Sequence, residues 1–152
     1  MKALALALLL ASTATSAAKG PPWISIETKP NGGTTAIVAR TWHHGTAMGL
    51  PLTGTAEGIV NGRWVTVPLR FELLDSTSMN VFAVPNTWGS AGVWVLSISL
   101  NGEEHGSAGV VVGIDRQGQV AFVRFPRGRF GSRAATTGEV TALLRALDAG
   151  TA

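Results

Sequence analysis

The chain of 152 residues has no cysteine. Disulfides and a cysteine nucleophile are therefore excluded, and there is no lipobox to carry a lipid anchor. Charged residues make up only 14% and histidines number three. No Gly-x-Ser-x-Gly occurs, and Ser90 and Ser107 lie in Gly-Ser-Ala-Gly stretches that suit turns. The adjacent acids Glu103 and Glu104 fall in a hairpin turn, where such a pair is a solvated tip. No acid–base or nucleophile set can be assembled, so the expectation is that the protein is not an enzyme. Net charge is +3, one unit of which belongs to Lys2 in the leader. That is too little for a partner held by bulk charge alone.

Long apolar runs are also missing, except at the start. Residues 1–18 read as a signal peptide, with Lys2 as the charged start, an apolar stretch from Ala3 to Ala11, and small residues from Thr13 to Ala18. The mature chain is expected to begin at Ala18 or Lys19, in the periplasm or secreted, with no permanent membrane span.

What the sequence does contain is strand signal. Residues 19–125 read as one β-domain, 126–135 as a basic linker and 136–150 as a C-terminal helix. The clearest part is the hairpin from Gly92 to Ile114. Trp94, Leu96, Ile98 and Leu100 alternate with Val93, Val95, Ser97 and Ser99, the period of a half-buried strand. Asn61-Gly62 between two strand-like runs marks a second hairpin, because both turn positions need positive φ. On its return strand Val65, Val67, Leu69 and Phe71 share a face, each contributing roughly 1.5–3 kcal/mol if fully buried. Pro68 places that strand near an edge. Trp23 to Glu27 reads as an edge strand and Thr34 to Trp42 as the next, with both of its faces mixed. Pro51 to Val60 is a weak strand, interrupted by Gly54 and Gly58. Thr136 and Glu139 have capping-box spacing, followed by Val140, Leu143, Leu144 and Leu147 at helical spacing. The expected fold class is all-β, an immunoglobulin-like antiparallel β-sandwich with a short C-terminal α-helix.

The stretch from Ala91 to Ile98 resembles the Gly-x-Trp-x-Leu strand of bacterial immunoglobulin-like accessory domains of the YtkA-like type. Gly49 to Gly54 is similar to the Gly-x-Pro-x-x-Gly segment that leads into one of their hairpins. In order of features the resemblance covers roughly residues 23–125. It implies a non-catalytic module of the cell envelope, in a family some of whose members sit near copper-handling proteins. The membrane anchor usual in that family is not expected here, and the terminal helix lies outside the pattern.

Three groups of residues are candidate sites. The binding candidates are Trp64 and Arg70, read as lying on the outer side of the 63–71 strand, with Trp42 and Trp88 as aromatic neighbours. Trp and Arg anchor interfaces because each joins large contact area to a polar handle. The metal candidates are His43, His44, Met48 and His105. His with Met suits copper, but His43 and His44 on an extended chain would point apart. The third group is the arginine–phenylalanine run from Arg124 to Arg133, suited to anionic envelope polymers or lipid head groups. The function expected is an exported, non-catalytic binding or accessory module that takes a protein or an envelope polysaccharide, not nucleic acid, and needs no cofactor. The alternative is a periplasmic copper-binding protein.

Overall fold

A computed structural model describes residues 20–31, 34–102 and 106–152. The predicted leader, residues 1–18, lies outside them. Two antiparallel sheets pack face to face, and one helix lies on the outside of the second sheet. The first sheet runs β1 (Trp23–Asn31), β2 (Thr34–His43), β7 (Val81–Val84), β6 (Glu72–Leu73), with the short β3 (Thr46–Ala47) paired to β2. The second runs β10 (Val120–Arg124), β9 (Gly106–Ile114), β8 (Val93–Gly102), β4 (Leu52–Val60), β5 (Arg63–Pro68). The all-β sandwich expected from the sequence is thus present, with its C-terminal helix.

Strand parity accounts for the core. On β8 the even positions Trp94, Leu96, Ile98 and Leu100 turn inward, opposite Ile114, Val112, Val110 and Ala108 of β9. On β2 the mixed faces resolve, with Ile37, Ala39 and Thr41 inside. Val65, Val67, Leu69 and Phe71 all pack on this core, as their alternation predicts. β5 is the edge strand that Pro68 suggested, although the strand stops at Pro68 and Arg70 stands beyond it. Asn61 and Gly62 turn the β4–β5 hairpin at φ 50° and 73°.

β4, the weak strand of the sequence, is a central one, paired to β8 on one side and β5 on the other. Gly54 and Gly58 make it look weak, and each is required by a neighbouring strand: a Cβ at Gly54 would meet the Ser97 carbonyl oxygen at 2.4 Å. A Cβ at Gly58 would meet Cε3 of Trp94 at 2.4 Å, so the indole needs the missing side chain. The Trp94 N–H donates to the Ala91 carbonyl at 2.8 Å, which lets a polar tip sit in the core.

The predicted basic linker is not featureless. It contains a small hairpin, β11 (Arg127–Gly128) and β12 (Gly131–Ser132). The chain then crosses β9 at Gly109, where a Cβ would meet the Arg133 carbonyl oxygen at 2.2 Å. Helix α1 (Thr137–Asp148) follows, with Thr136 and Glu139 forming the capping box. Arg133 joins Glu139 through two hydrogen bonds of 2.7 Å, so the crossing segment and the helix start are tied together. Val140, Leu144 and Leu147 pack on Val93, Val95 and Val111, the outward residues of β8 and β9. The helix therefore does not lie over Trp64, which is 44% exposed.

Candidate functional site

The helix covers only part of the second sheet's outer face. Along β8 the outward residues change from Val93 and Val95, under the helix, to Ser97 and Ser99. Opposite these on β4 stand Thr55 and Thr53. The Thr53 and Ser99 hydroxyls are 3.2 Å apart, with either able to donate. Further along β4, Glu57 faces Thr66 of the edge strand, and Ile59 faces Trp64. The Trp64 Nε1–H donates to Glu57 Oε2 at 2.6 Å, and the Thr66 hydroxyl lies 3.5 Å from the same oxygen. A charge-assisted bond of that length restricts the indole to one orientation before any ligand arrives. The ordering entropy of a large side chain is then spent in folding rather than in binding. The result is a flat face offering an apolar ring, five neutral hydroxyls and a carboxylate.

The other aromatic candidates lie elsewhere. Trp42 is on the outer face of the first sheet, away from Trp64. It stacks on Trp23 with centroids 5.1 Å apart and planes 9° from parallel. Its Nε1–H donates to Ser25 Oγ at 3.0 Å, and Arg40 pairs with Glu27 at 3.0 Å on the same face. Trp88 is a core residue at 7% exposure, so it is not part of an exposed aromatic surface. Arg70 is exposed, two residues past the end of β5. Sequence reasoning missed Glu57, Thr66, Thr53, Thr55 and Trp23 as site residues. Alternation within β4 places Thr53, Thr55 and Glu57 on one face, and that was the available signal.

The histidine loop turns where an extended chain would hold the two rings apart. His44 adopts φ 52°, left-handed rather than extended, so the chain turns between the two residues. Their rings come together, with centroids 3.7 Å apart and planes tilted by 39°. His43 is buried and His44 exposed. Met48 packs against the core. Thr41 anchors its loop: the hydroxyl donates to the Met48 carbonyl, and the Leu50 N–H donates to that hydroxyl at 3.3 Å. His105 lies outside the described residues. Among the described residues no group of three or more His, Cys, Asp or Glu side chains is placed to hold a metal ion.

Comparison with known proteins finds no match: no family model fits the chain, and no curated protein or solved structure matches it. No helix among the described residues is long and apolar enough to cross a membrane.

Proposed function

We propose that this protein is an exported, non-catalytic binding module of the bacterial cell envelope, and that it takes envelope polysaccharide on the open face of the second sheet. The observation that carries this reading is the exposed Trp64 indole, fixed by Glu57 on the sheet face that carries Thr53, Thr55, Ser97 and Ser99 further along. A flat indole matches the C–H face of a sugar ring, while hydroxyls and a carboxylate exchange hydrogen bonds with sugar hydroxyls. A protein partner fits less well, because serine is depleted in protein interfaces and this face has one large apolar residue. Export rests on the leader-like residues 1–18, and N-terminal sequencing of the exported chain should start at Ala18 or Lys19.

The test is cosedimentation with insoluble envelope polysaccharide. Trp64→Ala should weaken retention at least about 10-fold, as for a central aromatic anchor. Its melting temperature should stay near that of the parent. Equal retention of parent and variant sinks the reading.

The His43–His44 ring contact favours a second reading, periplasmic copper binding. Calorimetry should then show copper uptake that is lost when His43, His44 and Met48 are all changed to alanine. A parent protein that takes up no copper removes it.

A further inference from the structure

The surface from β10 to the tip of the β11–β12 hairpin carries three arginines and two exposed aromatic rings. Phe130, at the hairpin tip, is 74% exposed and Phe125 is 49% exposed. The Arg129 guanidinium lies over the Phe130 ring at 5.1 Å from its centroid. Arg124 lies over Phe122 at 4.7 Å. Arg124, Arg127 and Arg129 make no ion pair among the described residues, whereas Arg133 is taken up by Glu139. Beside them, a groove of about 330 Å³ opens between β10 and the helix. Val111, Phe125, Pro126, Ala142 and Leu143 give it apolar walls, with Arg124 and the already paired Glu139 also lining it.

We infer that this surface docks the protein on a bilayer rich in anionic phospholipid. The inference does not depend on the polysaccharide reading, since none of these residues belongs to the Trp64 face. Two features together select a membrane. Guanidinium groups that pair with no acid among the described residues match phosphate oxygens, which they bind through paired N–H donors. Exposed phenylalanines gain nothing from phosphate itself, but they enter the boundary between head groups and acyl chains. The groove offers an apolar wall continuous with Phe125, where an acyl chain displaced from the bilayer can lie. A polybasic patch combined with a modest apolar insertion gives reversible attachment, and neither alone is enough.

The test is flotation of the purified protein with vesicles, parent and variants sharing one N-terminus. The vesicles are phosphatidylcholine alone or phosphatidylcholine mixed with phosphatidylglycerol. The protein should float with the anionic vesicles only, and less as salt rises. Arg127→Gln with Arg129→Gln should lower the partition coefficient about 25-fold, taking about 5-fold per arginine near a charged surface. Phe130→Ala should lower it about 10-fold. All three residues are exposed, so melting temperatures should match the parent and the losses are then losses of contact. Three outcomes each overturn the inference: no flotation with anionic vesicles, equal flotation with neutral ones, or dependence on the arginines with none on Phe130. The last would leave a contact by charge alone, with no apolar insertion into the bilayer.

Discussion

Leu144→Ala is the sharpest probe of how the third layer is held. Leu144 is 0% exposed and lies in the cluster formed with Val93, Val95 and Val111. The substitution removes three carbon atoms, worth about 2.4 kcal/mol at about 0.8 kcal/mol per buried methylene group. A residual cavity adds to that, within the span of about 2–5 kcal/mol for buried leucines. The helix has solvent on its far side and can settle toward the sheet, so we expect about 3 kcal/mol. Against a total of about 5–15 kcal/mol, that is a large fraction. In a domain of this size it should lower the melting temperature by about 10 °C.

The comparison variant is Leu143→Ala, one residue away and only partly buried at the groove. It should cost about 1 kcal/mol, since less area leaves water there. Both are read by urea unfolding followed through far-UV circular dichroism. The midpoint should fall and the slope stay constant, because the same surface is exposed on unfolding. A greater loss at Leu143 than at Leu144 would refute the docking face. So would a two-step curve in the parent, which would make the helix a separate unit.

Val67→Asp should unfold the domain while Thr66→Lys leaves it folded, because Val67 packs on the core and Thr66 faces out toward Glu57; equal midpoints would mean the register is wrong. Acrylamide should quench a fraction of the fluorescence that falls in Trp64→Phe and stays in Trp88→Phe, since Trp64 is exposed and Trp88 buried; the reverse order would put Trp64 under a cover. Hydrogen bonds from Arg133, and then from the Thr136 backbone, hold the Glu139 carboxyl down from its ordinary 4.5 to about 2. A folded pKa below the unfolded one means that this contact is at full strength above about pH 4.5 and is lost as pH falls toward 2. Carboxyl NMR should show that low midpoint, and Arg133→Gln should raise it; an ordinary midpoint in the parent would mean the pair is not formed.

Legibility in the sequence followed locality. The alternation of Trp94, Leu96, Ile98 and Leu100 was readable because one strand face meets the core along its whole length. The capping box was readable because Thr136 and Glu139 are three residues apart and satisfy each other. β4 read weakly because the reason for Gly58 is Trp94, on another strand. Trp88 sits in a loop with no period, so nothing local marks it as buried. On an extended chain His43 and His44 would point apart; the left-handed His44 brings their rings together, and no local pattern in the sequence marks that backbone. Identical pentapeptides make the point most directly. Gly89 to Val93 holds glycines at φ 94° and 84° before β8 begins, whereas Gly106 to Val110 lies within β9. There Gly109 is required by the Arg133 carbonyl that crosses it, a contact 24 residues away in sequence.

The placement of the helix divides one sheet face into two surfaces of different chemistry. Val93, Val95 and Val111 need cover, and the helix supplies it over the middle of the sheet. On the β5 side it leaves hydroxyls and Trp64; on the β10 side it leaves arginines and Phe125. The sheet order sets β10 and β5 at opposite edges, four strand spacings apart, or about 19 Å at about 4.8 Å each. A protein resting on a bilayer by its β10 edge would therefore keep the Trp64 edge clear of the lipid. The two proposed contacts do not compete for space, and each should survive loss of the other. Trp64→Ala should leave vesicle flotation unchanged, and the double arginine variant should leave polysaccharide retention unchanged. If either variant abolishes both activities, the two surfaces form one site and the division drawn from the helix is wrong.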